Sequence, residues 1–107
     1  MSVLHITKEN FEAEVLRSDK PVLVDFFADW CMPCKMMAPV LEKAAATFDG
    51  RAVMAKVNVD EDPEVAVRFG IQSIPELLLF KDGEMVHGLI GVRPYEELAA
   101  AIESVLA

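Results

Sequence analysis

Only two cysteines occur in the 107-residue sequence, Cys31 and Cys34, and they form one Cys-x-x-Cys pair. A disulfide-stapled secreted domain would spread more cysteines over longer loops. A bridge that closes so short a loop removes little entropy from the unfolded chain, so stabilisation is a poor reason for the pair. Redox chemistry and metal binding are what remain. A structural zinc site takes four ligands. There is no third cysteine, and His5 and His87 lie on other segments. The residues therefore favour a dithiol–disulfide couple with no metal and no other cofactor. A metal or cluster shared by two chains stays open as the less favoured alternative.

The position of the pair supports redox chemistry. It follows an apolar run and opens a helix. Side chains at i and i+3 on a helix are neighbours, about 5–6 Å apart at Cβ, and a small adjustment brings them to the ~3.5–4.5 Å a disulfide needs. Unsatisfied backbone N–H groups and the helix dipole favour a thiolate in the first turn, and the thiolate is the nucleophile in exchange. Pro33 suits that turn, and Lys35 adds a positive charge. Cys31 is expected to be exposed, and Cys34, one turn in, to be shielded.

The elements that must position the pair alternate in type. Ser2–Ile6 reads as a short strand, and Thr7 caps a helix over Lys8–Arg17 with Phe11, Val15 and Leu16 on one face. Pro21–Ala28 is almost wholly apolar and reads as a central strand covered on both faces. Cys31–Phe48 is a helix that Pro39 should kink. Ala52–Val59 is a strand, and a short helix begins within Asp60–Pro63 and ends at Gly70. Glu76–Phe80 and Met85–Ile90 form a hairpin about Asp82-Gly83. Pro94 starts a last helix that runs to about Leu106. The first three strands can be parallel, and the last two are antiparallel.

The segment Val22–Lys35, VLVDFFADWCMPCK, resembles the signature of the thioredoxin family. The resemblance extends over essentially the whole chain, through Lys56–Asp60, Gly70–Pro75, the Lys81-Asp82-Gly83 turn and Gly91. It implies an α/β thioredoxin fold: one domain over residues 1–107, with a mixed five-stranded sheet flanked by four helices. It implies a protein-disulfide reductase, a thiol–disulfide electron carrier in which Cys31 attacks the target disulfide and Cys34 resolves the mixed disulfide. The implied partners are a thioredoxin reductase, NADPH- or ferredoxin-dependent, and disulfide-containing proteins. A cytoplasmic monomer is expected. The alternatives are a specialised thioredoxin-like protein with restricted targets and a non-catalytic assembly subunit.

Asp25 interrupts the apolar strand, and desolvation raises the pKa of a buried carboxyl, by as much as ~3–5 when it is fully buried. Such a group can trade protons near neutral pH. By resemblance it lies behind the disulfide and serves Cys34, accompanied by Lys56. Trp30 resembles the lid beside the site, and Met32 and Pro33 stand between the cysteines. Ile74-Pro75 resembles a cis-proline loop opposite them, whose backbone can pair with an extended substrate segment. Gly91, flanked by Ile90 and Val92, resembles the third piece of the docking surface. Met36 and Met37 are expected to be packing residues. Asp60, Glu61, Asp62 and Glu64 read as a negatively charged helix start, not as a calcium loop, and His5 and His87 as strand or surface residues.

Three positions depart from the family pattern. Met32-Pro33 stands where Gly-Pro is usual, Phe27 where tryptophan is usual, and Glu76 where threonine commonly follows the cis-proline. These bear on potential and substrate preference. Dithiol proteins span roughly 150 mV, about 7 kcal/mol. The retained acid and proline favour the reducing end.

Composition excludes other classes. Hydrophobic residues make up 53% of the chain, too many for global disorder. No apolar run approaches the ~18–20 residues of a membrane span, and the N-terminal stretch lacks the apolar core of a signal peptide. A net charge of −8 argues against nucleic acid as a partner.

Overall fold

The structure is a computed structural model in which residues 3–106 are described. Its elements are β1 (Leu4–His5), a π-helical segment (Glu12–Leu16), β2 (Val22–Phe27), α1 (Met32–Thr47), β3 (Val53–Asn58), α2 (Pro63–Arg68), β4 (Glu76–Lys81), β5 (Glu84–Ile90) and α3 (Tyr95–Leu106). They form an α/β fold with one five-stranded mixed sheet in the order β1-β3-β2-β4-β5. β2 pairs in parallel with β3 and antiparallel with β4, which places the unbroken apolar run at the centre of the sheet.

Strand alternation sorts β2 between two cores. Leu23 packs with Met37, Leu41, Leu77 and Leu98 on the face covered by α1 and α3. Val22, Val24 and Phe26 pack with Phe11, Val65 and Phe80 on the opposite face, against the π-helical segment and α2. A strand covered on both faces needs apolar residues at both parities, and that is why the run does not alternate. The β4–β5 hairpin turns at Asp82 (φ 54°) and Gly83 (φ 82°). Two positive φ values define the turn that matches strand twist. A Cβ on Gly83 would also lie 3.0 Å from the Leu16 carbonyl oxygen, so both conformation and space favour glycine there.

The N-terminal elements differ from expectation. The strand read over Ser2–Ile6 is only Leu4–His5, and Ser2 lies outside the described residues. The helix read over Lys8–Arg17 is a turn followed by a π-helical segment, in which the Arg17 N–H donates to the Glu12 carbonyl at 2.9 Å. Its start is as expected. Asn10 Oδ1 accepts the Thr7 N–H at 2.8 Å, and its Nδ2 donates to the His5 carbonyl at 3.1 Å. The Thr7 carbonyl accepts the Phe11 N–H at 3.0 Å, so the bonding begins at Thr7 as at a cap, with Asn10 reaching back to it, and widens only from Glu12 on. Helix α1, by contrast, continues through Pro39, which is exposed, so the missing N–H sits on its solvent side.

Candidate active site

Helix α1 begins where β2 delivers it, after Ala28-Asp29-Trp30. Cys31 is its N-cap, and the Cys31 Sγ accepts the Cys34 N–H at 3.2 Å. The two cysteines form a disulfide with Cα atoms 5.3 Å apart. The redox sulfur thus occupies the place an N-cap side-chain oxygen usually fills, where orphan N–H groups favour negative charge.

Both cysteines are 4% exposed, so the expected contrast between an open Cys31 and a shielded Cys34 is absent from the disulfide form. Phe27, Val59 and Ile74 pack over the pair. Surroundings distinguish the two. The Cys31 Sγ lies 3.9 Å from the Ile74 carbonyl oxygen, whereas Cys34 lines a pocket of about 140 Å³ with Asp25, Phe27, Lys35, Leu41 and Lys56.

Asp25 reaches that pocket through alternation: it shares the parity of Leu23, and so faces α1. It is 3% exposed, and its Oδ1 has no hydrogen-bond partner among the described residues. Burial pushes its carboxyl up from 3.8 to about 7, and the nearby Lys56 ammonium pulls it partly back. Lys56 is the register partner of Asp25 on parallel β3, and its Nζ sits 5.6 Å from the Phe27 ring centroid. The sequence thus delivers a buried carboxyl and a cation to one pocket beside Cys34.

Across from the cysteines, the Ile74–Pro75 peptide bond is cis. The Pro75 carbonyl accepts the Gly91 N–H at 2.8 Å, which ties the Gly91 turn to the cis-proline loop. Gly91 has a φ of +89°, a conformation that other residues rarely adopt. Trp30 is 69% exposed, Met32 66% and Met36 62%; Pro33, Ile90 and Val92 are also exposed. These apolar side chains border the cysteine end of α1 and the Gly91 turn.

Several positions are reassigned. Met37 is fully buried as expected, but Met36 is not a packing residue: it lies one turn beyond Met32 on the solvent side. The acidic stretch is more than a helix start. Asp60 accepts the Trp30 indole N–H at 2.8 Å, and buried Asp62 accepts the Lys8 N–H at 2.9 Å instead of capping α2. Buried Asn58, unremarked in the sequence, accepts the N–H groups of Asp60 (2.9 Å) and Glu61 (3.3 Å), and so orients Trp30's partner. Glu76 shares the register and parity of Phe26, which places it on the face opposite α1, away from Asp25. Burial raises its carboxyl above the ordinary value. His5 and His87 are exposed strand residues. Among the described residues, no group of three or more His, Cys, Asp or Glu could hold a metal, and no helix is long and apolar enough to cross a membrane.

The Thioredoxin family model matches residues 2–104. A thioredoxin of Alicyclobacillus acidocaldarius subsp. acidocaldarius is 50% identical over 105 residues, covering 98% of this chain and 99% of that protein. A thioredoxin of Chlorobaculum thiosulfatiphilum is 47% identical over 97 residues, covering 91% and 90%. A thioredoxin of Staphylococcus haemolyticus (strain JCSC1435) is 46% identical over 103 residues, covering 96% and 97%. The agreement spans both cores and every strand instead of stopping at the cysteine motif, and on that ground the chain belongs to the thioredoxin family of thiol–disulfide oxidoreductases.

Proposed function

We propose that the chain reduces protein disulfides with Cys31 as nucleophile and Cys34 as resolving thiol. The Cys31 thiolate attacks one sulfur of the target disulfide, forms a mixed disulfide and releases the first target thiolate. Cys34, having lost its proton, attacks the Cys31 sulfur; the Cys31–Cys34 bond forms and the second target thiolate leaves. Two electrons pass to the target, and its thiolates take up protons. The observation that carries this assignment is the N-cap bond from the Cys34 N–H to the Cys31 Sγ, which stabilises a thiolate at Cys31 and not at Cys34. Asp25 is the base that accepts the Cys34 proton, and Lys56 moderates its affinity for it. Trp30, Met32, Pro33, Ile74, Pro75 and Gly91 form the surface on which the target segment docks. A thioredoxin reductase returns the disulfide to the dithiol, and the protein works as a monomer in the reducing cytoplasm.

Insulin reduction with dithiothreitol, followed by turnover with NADPH and a thioredoxin reductase, tests the assignment. The wild-type chain should accelerate insulin reduction well above dithiothreitol alone, and Cys31→Ser should abolish the acceleration. No acceleration by the wild type would reject catalysis and favour an assembly role. Acceleration with dithiothreitol but not with the reductase would point to another electron donor.

A further inference from the structure

Residues 91–93 lie between β5 and α3, and five hydrogen bonds to four partners hold them. The Gly91 N–H donates to the Pro75 carbonyl at 2.8 Å. The Arg93 backbone N–H meets the Sδ of fully buried Met37 on α1 at 3.3 Å. The Arg93 guanidinium folds back on its own chain: Nε and Nη2 both donate to the Ile90 carbonyl, at 3.1 and 3.0 Å. Its Nη1 pairs with Glu97 Oε2 at 2.6 Å, in the first turn of α3. The Ile90 carbonyl is the last of edge strand β5. A planar guanidinium can donate twice to that carbonyl and still reach a carboxylate, whereas an ammonium is a point donor without that fork.

We propose that Arg93, braced by Glu97, is a positioning residue that locks the Gly91 turn against Pro75 and α1, and so favours protein disulfides over small ones. The inference rests on the docking surface proposed above. A protein target must settle along Ile90–Val92 and the Pro75 loop, so a loosened turn weakens its binding. A small aromatic disulfide needs only access to the Cys31 sulfur. The chemistry of exchange is the same for both.

The test compares prereduced wild type, Arg93→Ala, Arg93→Lys and Glu97→Gln, with thermal melts to establish folding. Oxidation of each variant by insulin, whose disulfide is reduced, is followed by Trp30 fluorescence over a range of insulin concentrations. Reaction with 5,5′-dithiobis(2-nitrobenzoate) is followed by thionitrobenzoate release. For Arg93→Ala, the half-saturating insulin concentration should rise roughly threefold to tenfold, with the limiting rate little changed. The ratio of insulin to small-disulfide reactivity should fall by the same factor. Arg93→Lys should be intermediate, because it keeps a cation beside Glu97 without the fork, and Glu97→Gln should shift the same way by less. An unchanged ratio, or equal losses with both substrates, would overturn the proposal. Ile74→Ala separates the two levels. If it raises insulin half-saturation while Arg93→Ala does not, the clasp fails and the docking surface stands. If neither variant moves it, both fail.

Discussion

Replacing Asp25 by asparagine should stabilise the protein, and the gain should grow with pH. The carboxyl is 3% exposed, with one oxygen unpartnered among the described residues, and burial raises it from 3.8 to about 7. The sign follows from linkage. A carboxyl whose folded value is raised holds its proton more tightly in the folded state. Below about pH 4 both states are protonated, and the group does not tilt the equilibrium. As pH climbs from there through about 7, the unfolded chain ionises freely while the folded chain resists, and stability is lost. The full difference corresponds to about 4 kcal/mol above neutral pH. Water entering the neighbouring pocket solvates the anion, and the asparagine amide still has to be buried, so roughly 2–4 kcal/mol is the working range. For a chain of this size each kcal/mol moves Tm by about 4–8 °C. Melts of wild type and Asp25→Asn at pH 4, 6, 7 and 8.5 should therefore nearly coincide in their pH-dependent part at the acid end and separate by about 10 °C or more at the alkaline end. Stopped-flow kinetics on the same variant should show a slower resolving step and a largely intact first attack. A difference in Tm that is flat from pH 4 to 8.5, or a variant less stable at pH 8.5, would refute the account of a desolvated carboxyl. An unchanged resolving step would remove Asp25 from proton transfer.

Other substitutions test separate parts of the site. Lys56→Met should push the Asp25 carboxyl above about 7, because the ammonium is what pulls it down; carboxyl NMR titration reads this directly. Cys34→Ser should accumulate mixed disulfides with targets and Cys31→Ser should not, as seen on non-reducing gels. Met32→Gly should change the redox potential and the range of protein disulfides reduced while leaving the fold intact, since it removes an exposed adaptable thioether and frees the backbone; equilibration with glutathione buffers gives the potential. Glu76→Thr should leave the Cys31 titration unchanged, because Glu76 faces the side of the sheet opposite α1. It should also raise stability more at pH 8 than at pH 4, since burial disfavours the Glu76 carboxylate.

What could be read in advance was whatever depends on pattern along the chain. β2 was legible because a run with no alternation has to be covered twice, and the hairpin because Asp82-Gly83 suits two positive φ values. Met36 and Met37 could have been told apart. Met37 shares a helical stripe with Cys34 and Leu41, and Met36 shares one with Met32. The rest depends on partners remote in sequence. Asp62 looks like a helix cap until folding brings the Lys8 N–H to it, 54 residues away. Nothing in the local pattern marks the widening to π-type bonding at the Glu12 carbonyl. The fork of Arg93 on Ile90 was hidden for another reason: the contact is only three residues long, but it exists only because β5 ends there.

Asp25 also shows why the cost of the site falls at one residue and not its neighbours. In β2, Leu23 belongs to the core beneath α1 and α3, while Val24 and Phe26 belong to the opposite core. A carboxyl at position 24 or 26 would be as deeply buried and as destabilising, yet the sheet would separate it from Cys34. At position 23 it would face α1 but lie a full strand repeat farther from the disulfide, deeper under the helix. Position 25 combines deep burial, the parity that faces α1 and nearness to the end of the strand that feeds Cys31; Phe27, at the same parity, is only half-buried and packs over the cysteines. The parallel pairing of β3 then fixes the cation as well, because the register Asp25↔Lys56 puts both side chains on the same face. A one-residue slip of β3 would turn Lys56 to the other core and bring Ala55 or Val57 beside the carboxyl. The buried carboxyl, its moderating cation and the neighbouring cysteine sulfur are thus tied together by sheet register.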